Sequence, residues 1–250
     1  MDLVTVIIPY YKKKNYIVHS VESAISQTYR NLEIIIIYDN ESDSELDYIK
    51  SLKNRDFRIK LIINESNLGA GESRNKGIKF SKGKYISFLD ADDMWKKNKI
   101  ETQLLFMQYE KLNISHTSYK IIDEENNLIG NRKARSFYNY KDIIKSCDIG
   151  LSSVMLKKEI ISNDIKFSNL KTKEDFYLWL KILKKGIKII AIDEELLIWR
   201  KTKNSLSGST LQKLSDGFKI YNRYMGYNFF IYIYYLKCLS LNYLKKKIND

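Results

Sequence analysis

The feature that most constrains the fold of this chain is the alternation of apolar and amphipathic segments over its first ninety residues. Short runs rich in β-branched residues, typical of buried strands, occupy residues 3–8, 32–38, 59–63 and 85–89. Helical spacing of apolar residues follows the first three runs, over residues 16–26, 42–53 and 71–80. Repeated strand–helix units of this kind predict an α/β fold with a mostly parallel central sheet and right-handed crossovers.

Polar and aromatic residues stand where these predicted strands end. Pro9, the one proline of the chain, closes the first strand and is followed by two tyrosines, and Asp39 closes the second. The fourth strand runs into Asp90, Asp92 and Asp93. Ligands of open parallel sheets bind at the carboxyl ends of the strands, so we expect these residues to lie at one functional edge.

Three carboxylates at the end of an apolar strand need a positive partner, because uncompensated charge beside a buried sheet is costly. Carboxylate oxygens suit Mg²⁺ or Mn²⁺, which commonly keep substrate phosphates in their coordination shell. The sequence therefore favours a divalent cation, Mn²⁺ or Mg²⁺, bound together with a phosphorylated substrate.

Composition limits the alternatives without choosing among them. The 250 residues carry a formal net charge of +13, which suits nucleic acid, anionic membrane or phosphorylated substrates, and a lysine-rich composition accounts for it equally well. Cys147 and Cys238 form no disulfide framework, and residues 1–8 contain no signal-peptide pattern. We expect a cytoplasmic protein with no transmembrane helix, since no apolar run reaches eighteen residues.

The second half of the chain has weaker patterns. We predict a helix over 98–111, strands over 114–122, 152–156, 187–192 and 196–199, an amphipathic helix over 174–184, and helical structure from 211 onward. This divides the chain into a domain of residues 1–210 and a C-terminal helical extension of residues 211–250.

Seven short segments, taken together, resemble the family 2 inverting glycosyltransferases, which bind nucleotide sugars in the GT-A fold. They occur in the order and spacing of that family and cover residues 3–207 approximately. The segments are VIIPYY (6–11), SQTY (26–29), EIIIIYD (33–39), NLGAGESRNKG (67–77), FLDADD (88–93), ED (174–175) and WR (199–200).

The resemblance implies a donor site for a nucleotide sugar, with UDP favoured because a carboxylate can accept the uracil N–H. Pro9, Tyr10, Tyr11 and Asp39 match the positions that hold base and ribose in the family. Helix capping or a turn would account for Asp39 alone.

Arg74 matches an arginine that approaches the nucleotide, although an exposed helix arginine is the plainer interpretation. The Asp-x-Asp motif implies that Asp90 contacts the ribose or the shell of the metal and that Asp92 ligates the metal. Asp93 is interpreted as a helix-start charge.

The resemblance also implies the catalytic group. Asp175 is the expected general base for direct displacement, and Glu174 beside it is expected to orient the acceptor. The alternative interpretation is that both acids only stabilise the dipole of the helix that they begin.

Arg200 and Lys203 are expected to contact the diphosphate or the acceptor. Because Thr202 stands where the family often has a metal-touching histidine, Lys201 or Lys203 is expected to stabilise the diphosphate instead.

The C-terminal residues 226–244 are rich in tyrosine, phenylalanine and lysine. Such a segment is typical of a helix lying on an anionic membrane, near a lipid-linked acceptor, or of a helix that packs on the domain or on a second subunit. The sequence leaves these interpretations open.

The resemblance implies a metal-dependent inverting glycosyltransferase that uses a lipid-linked or oligosaccharide acceptor in lipopolysaccharide, O-antigen or capsule synthesis. The alternative is a weak or inactive homologue that binds nucleotide or glycan as a non-enzymatic partner. A dinucleotide-dependent oxidoreductase is rejected, because no glycine-rich turn follows the first strand. No nucleic acid is expected, since no recognised binding module occurs.

Overall fold

A computed structural model of the protein describes residues 1–41, 43–146, 148–202 and 210–249. The strands are β1 (Val4–Tyr10), β2 (Leu32–Tyr38), β3 (Ile59–Ile63), β4 (Tyr85–Phe88), β5 (Met94–Trp95), β6 (Ile114–Ile122), β7 (Leu128–Arg132), β8 (Met155–Lys157) and β9 (Ile190–Arg200). The helices are α1 (Lys14–Ile25), α2 (Leu46–Lys53), α3 (Ala70–Phe80), α4 (Lys99–Tyr109), α5 (Tyr140–Ile143), α6 (Glu174–Lys184), α7 (Thr210–Lys219) and α8 (Phe229–Asn249).

The strands form one mixed sheet in the order β3-β2-β1-β4-β8-β6-β9-β5, with β7 paired to β6. β3, β2, β1 and β4 are parallel neighbours, whereas β8 runs antiparallel to β4 and to β6. The predicted α/β fold with a largely parallel sheet flanked by helices is confirmed, and so is the alternation of four strands with three helices in the first ninety residues.

Alternate residues of the strands enter two separate apolar layers, as the two-residue period of a strand requires. In β2, Ile34 and Ile36 face the layer that contains α1, α2 and α4, while Ile35 and Ile37 face the layer that contains α3 and α6. Both faces of the central strands are thereby buried, which explains their nearly uninterrupted apolar sequence.

Two predictions in the second half of the chain are wrong in detail. The strand predicted over 152–156 begins only at Met155, because the Ser153 hydroxyl bonds to the Gly150 carbonyl and residues Leu151–Ser153 form a 3₁₀ turn. The two strands predicted over 187–192 and 196–199 are one strand, β9. Its register against β6 shifts beside Ser118, and the exposed acids Asp193 and Glu194 made this bulge resemble a break.

The C-terminal helices pack on the α3–α6 side of the domain. Ile220 and Tyr221 are fully buried, and the Tyr221 hydroxyl donates to the Ile144 carbonyl at 2.6 Å. Tyr235 of α8 stacks on Tyr221 with 5.5 Å between ring centroids. The prediction of helices from residue 211 agrees with the structure, and the division into two units at residue 210 stays a prediction. In the part of the chain that is described, no helix is long and apolar enough to cross a membrane.

Candidate active site

The turn that follows β4 places the three aspartates in different surroundings. Asp90 is partly exposed, Asp92 is largely covered, and Asp93 is 1% exposed. The amide of Asp93 donates to the Asp90 carbonyl, which closes a tight turn. The side chains of Asp90 and Asp92 therefore lie at the edge of the sheet where the parallel strands end.

Hydrogen bonds to Asp93 hold this turn in place. Its carboxylate accepts the Ser152 hydroxyl at 2.6 Å and the Arg200 amide at 3.0 Å, and its carbonyl accepts the Ser20 hydroxyl. Burial and the charges of Asp92 and Asp90 raise the pKa of Asp93 well above its usual value. The interpretation of Asp93 as a helix-start charge is wrong, because α4 begins only at Lys99. Asp93 instead joins α1, the segment before β8 and the end of β9.

Arg74 connects the aspartate turn to α6. Its Nη2 donates to Asp90 Oδ1 at 2.7 Å, and its Nη1 donates to Glu174 Oε1 at 2.6 Å. The guanidinium is buried over the ring of Phe167, and its Nε has no hydrogen-bond partner among the described residues. The plainer interpretation of Arg74 as an exposed helix arginine is therefore wrong. Its contact with a nucleotide stays a prediction.

Asp175 stands in the first turn of α6, next to the residue that Arg74 holds. Burial is the main reason why the pKa of Asp175 is raised to about 7, and the neighbouring charge of Glu174 adds to it. Its Oδ1 accepts the Phe176 amide at 2.7 Å. A carboxylate with a pKa near neutrality is suited to accept and release a proton at physiological pH. Glu174 is engaged by Arg74, and its predicted role toward the acceptor stays a prediction.

Asp39 organises the loop between β3 and α3. Its Oδ1 accepts the Asn64 side-chain amide and the Leu68 amide, each at 2.8 Å, and its Oδ2 accepts the Gly69 amide at 2.9 Å. Gly69 has φ = 82°, a conformation that glycine adopts without strain. Asp39 thereby sets the loop that leads into the helix of Arg74.

The two tyrosines at the end of β1 differ. Tyr10 is fully buried, its ring stacks on Tyr38, and its hydroxyl donates to Glu45 at 2.7 Å. Burial and that acidic neighbour raise the pKa of Tyr10. Tyr11 and Pro9 are partly exposed at the same edge. In this structure Tyr11 and Pro9, rather than the Tyr10 ring, are accessible to a ligand, and all three nucleotide contacts stay predictions.

Lys13, at the start of α1, has its ammonium 2.7 Å from Asp92 Oδ2 and 2.8 Å from the Thr202 hydroxyl. Thr202 also lies 3.4 Å from Asp92 Oδ2. The position at which the sequence lacks a histidine is thus in contact with a lysine and the second aspartate of the motif.

The residues at this edge fit a divalent cation only in part. In the described ranges no group of three or more His, Cys, Asp or Glu side chains is placed to hold a metal. Asp90 and Asp92 offer carboxylate oxygens, and one or two carboxylates with substrate phosphates are a common donor set for Mg²⁺. Since Asp92 Oδ2 faces Lys13, a cation at Asp92 would share this carboxylate with an ammonium group.

Arg200 has a different set of contacts from the one expected. It is 3% exposed, and its guanidinium donates to the main-chain carbonyls of Asp92 and Asp123 and to the Asn126 side chain. These bonds hold the aspartate turn against the β6–β7 connection and leave the diphosphate contact without structural support. Lys203 lies outside the described residues.

Sequence reasoning missed Lys13, Ser152 and the structural role of Asp93. Ser152 donates to Asp93 and accepts the Asp90 amide at 3.0 Å, so that it holds both ends of the turn. Three consecutive lysines at residues 12–14 are visible in the sequence, but nothing in their order tells which one turns toward Asp92.

Comparisons with known proteins identify the family of this chain. The family model described as "Glycosyl transferase family 2" matches residues 5–161. Two relatives from Escherichia coli, WfaP and WfgD, are each named a UDP-Glc:alpha-D-GlcNAc-diphosphoundecaprenol beta-1,3-glucosyltransferase. WfaP is 43% identical over 75% of this chain and 73% of its own length, and WfgD is 34% identical over 97% and 92%.

A solved structure has the same fold. The S. aureus TarS 1–349 structure, described as a complex with UDP-GlcNAc, superposes with a TM-score of 0.70 at 19% identity. The match covers 89% of this chain and 67% of the TarS chain.

Proposed function

Since this chain belongs to glycosyl transferase family 2 and is a glycosyltransferase, we propose that it transfers glucose from UDP-glucose to a hydroxyl of a lipid-diphosphate-linked N-acetylglucosamine. Both E. coli relatives are named for this donor and this acceptor, and one of them matches nearly the whole chain. The reaction belongs to the synthesis of a bacterial surface polysaccharide. TuaG of Bacillus subtilis, 34% identical over 83% of this chain, is named for a putative role in teichuronic acid biosynthesis and supports the same setting.

One observation carries the proposal: Arg74 bonds both to Asp90 of the donor motif and to Glu174, the neighbour of Asp175. The expected donor-binding turn and the residue next to the expected base are therefore held in one network, although Arg74 and Glu174 lie 100 residues apart in sequence. An enzyme that joins a donor to an acceptor needs this proximity, because reacting groups must be oriented together.

In the proposed reaction Asp175 acts as general base. The acceptor hydroxyl attacks the anomeric carbon and gives its proton to the Asp175 carboxylate, while the bond to the UDP oxygen breaks and its electron pair leaves with UDP. A single displacement inverts the anomeric centre. Glu174 and Arg74 position the base and the ribose-side carboxylate of Asp90.

A divalent cation, Mn²⁺ or Mg²⁺, is part of the proposal, with Asp92 as its protein ligand. When bound, such a cation neutralises the charge that develops on the leaving diphosphate. Pro9, Tyr11 and Asp39 are proposed to form the wall for base and ribose, and Tyr10 to support that wall from beneath.

The proposal is tested with the purified full chain, UDP-glucose and a synthetic N-acetylglucosamine carried on a diphosphate lipid, with product detection by mass spectrometry. Wild type is expected to add one hexose. Asp175→Asn is expected to bind UDP as wild type does and to lose transfer by a hundredfold or more. Asp164→Asn, in an exposed loop, is the matched control and retains activity.

The outcomes separate the alternatives. UDP binding by wild type without any transfer from a panel of nucleotide sugars would support the non-enzymatic alternative. Transfer from another donor sugar would keep the mechanism and overturn the choice of glucose. Full activity of Asp175→Asn would remove Asp175 as the base.

We also propose that the outer face of α8 rests on an anionic membrane. α8 packs on the domain through Tyr232, Tyr235, Leu236 and Leu239, yet it leaves Phe229, Phe230, Ile231, Tyr234 and Leu241 exposed. An exposed row of aromatic and aliphatic side chains on a lysine-rich helix suits the interface of an anionic bilayer, where a lipid-linked acceptor resides.

Co-sedimentation with phosphatidylglycerol vesicles tests this placement. Phe229→Ser with Phe230→Ser is expected to lower the bound fraction strongly, because both rings are largely exposed. Phe57→Ser removes a still more exposed ring (95% exposed) from the loop before β3 and serves as the control. Equal binding of all three proteins would contradict the proposal.

A further inference from the structure

Lys13 is held toward the aspartate turn by the backbone of its own loop. Lys12 has φ = 50° and Lys13 is the residue before the first turn of α1, so the chain bends sharply between β1 and this helix. The Lys13 ammonium contacts Asp92 at 2.7 Å and Thr202 at 2.8 Å, with only 19% of its side chain exposed. This cation is thus seated against a carboxylate of the donor motif.

The neighbouring lysines have different contacts. The Lys12 ammonium lies over the Tyr11 ring at 5.1 Å from its centroid, and that of Lys14 lies over the Tyr48 ring at 5.4 Å. Of these three consecutive lysines, Lys13 alone has a carboxylate partner in the aspartate turn. The contact therefore reflects the placement of one side chain and not the general positive charge of the segment.

Within the described part of the chain, the contacts of the Lys13 ammonium leave one of its hydrogen-bond donors unused. A lysine side chain has three N–H donors and no acceptor. Asp92 and Thr202 account for two of them. The third can donate to an oxygen of a ligand placed beside Asp92, and Thr202 accepts from the ammonium without adding a competing charge.

We propose that Lys13 is a resident cation of the donor site, which bridges Asp92 and the diphosphate of the nucleotide sugar. This inference rests on the proposed function, since it takes the diphosphate to lie beside Asp92. Lys13 then neutralises charge on the leaving group from the same side as a divalent cation at Asp92. A divalent cation bound at Asp92 would share this carboxylate with Lys13, so we expect the metal to strengthen donor binding without being strictly required for it.

The proposal predicts that the effect of Lys13→Met on UDP affinity depends on whether Mn²⁺ is present. UDP binding is measured by calorimetry with the full chain, in EDTA and in Mn²⁺. Wild type is expected to bind UDP in EDTA, and Lys13→Met to bind it roughly ten- to a hundredfold more weakly there, the size typical of a hydrogen bond to a charged group. In Mn²⁺ the difference is expected to shrink, because the freed Asp92 can then ligate the ion.

Two variants control for position and charge. Lys14→Met removes the next lysine, whose ammonium lies over Tyr48, and is expected to match wild type in both buffers. Lys13→Arg keeps the charge and is expected to recover most of the binding in EDTA. Equal binding of wild type and Lys13→Met in EDTA would overturn the proposal, and so would equal losses in Lys13→Met and Lys14→Met.

A double variant separates contact from neutralisation. If Lys13 only cancels the charge of Asp92, then Lys13→Met with Asp92→Asn should bind UDP in EDTA as wild type does, and the bridging role is wrong. If Lys13 donates to the diphosphate, the double variant stays weak. If both wild type and Lys13→Met bind UDP only with Mn²⁺, this inference is overturned, whereas the proposed donor site is not. Wild type that binds UDP in neither buffer would overturn the proposed function.

Discussion

Arg74 in α3 and Glu174 in α6 lie 100 residues apart in sequence, yet Nη1 of the arginine is 2.6 Å from Oε1 of the glutamate. The same guanidinium reaches Asp90 through Nη2 at 2.7 Å. Both the arginine and the glutamate are nearly inaccessible to water. A single buried guanidinium therefore neutralises two acids, which lie on opposite sides of the site.

Replacement of Arg74 by methionine is expected to destabilise the protein by about 3–5 kcal/mol, because it leaves an acid buried without its partner. Urea unfolding measures this loss. Arg55→Met is the matched control: Arg55 pairs with Glu22 at the surface, with side chains 46% and 50% exposed, and its loss should cost under about 1 kcal/mol. Equal stabilities of the two variants would show that the Arg74 network contributes little to the fold.

Gly71 permits the approach of α3 to the segment before α6. A Cβ atom at this position would collide with the Ser168 main-chain carbonyl and would lie 3.3 Å from Glu174 Cβ. Gly71→Ala is therefore expected to destabilise by about 1–3 kcal/mol and to loosen the Arg74–Glu174 pair.

The control for this prediction is Gly130→Ala in β7, where a Cβ would meet only the Ile121 Cδ1 atom at 3.8 Å. It should change the free energy of unfolding by less than about 0.5 kcal/mol. If Gly71→Ala and Gly130→Ala have the same free energy of unfolding, the backbone near Ser168 can move without cost. The close packing of α3 at Gly71 is then not required for stability.

The sequence predicts the parallel half of the sheet well, because β1, β2 and β4 are buried on both faces and their apolar runs depend on few neighbours. β2 and β3 begin and end at the predicted residues. Prediction is poorer around β8 and β9, where side-chain hydrogen bonds and a bulge determine the ends of strands. Such features depend on partners that are distant in sequence, and periodicity does not report them.

The candidate site shows the same limit. Asp90 and Asp92 could be selected from the sequence, because carboxylates at the end of an apolar strand are unusual. The contacts of Lys13 with Asp92 and Thr202 join residues up to 189 positions apart. No local pattern distinguishes Lys13 from Lys12 and Lys14, and only the bend before α1 selects it.

Lys99 is a buried lysine that the proposed reaction does not use. It is fully buried beside the Trp95 ring, donates to the Ser87 hydroxyl, and has a pKa well below its usual value because of burial. At neutral pH Lys99 is protonated in the unfolded chain, whereas burial disfavours its protonated form in the folded protein. Lys99 therefore lowers the free energy of unfolding at this pH.

Lys99→Met is therefore expected to raise the melting temperature at pH 7, and the gain should shrink as the pH approaches 10, where the unfolded lysine also loses its proton. Ser87 keeps its bond to the Val154 carbonyl in this variant. Lys97→Met, at an exposed position two residues earlier, should show no such gain. A gain that is independent of pH would indicate better packing and not relief of a buried charge.

The pKa of about 7 for Asp175 predicts the pH dependence of transfer. Below pH 7 the carboxyl is protonated and cannot accept the acceptor proton, so kcat/KM should rise through pH 7 and level off above about pH 8. Glu174→Gln removes a charge that raises this pKa and should move the rise to lower pH. A flat profile between pH 6 and 9, or a rise near pH 4, would contradict the role of Asp175.

Stability gives an independent measure of the same group. Because the folded protein holds the Asp175 proton more tightly than the unfolded chain, the ionisation of Asp175 should lower stability progressively from about pH 4 to pH 7. Above pH 7 this cost is fully present. Asp175→Asn should therefore melt a few degrees higher than wild type at pH 8, with the difference disappearing toward pH 4, and an equal difference at both pH values would indicate that Asp175 titrates normally in the fold.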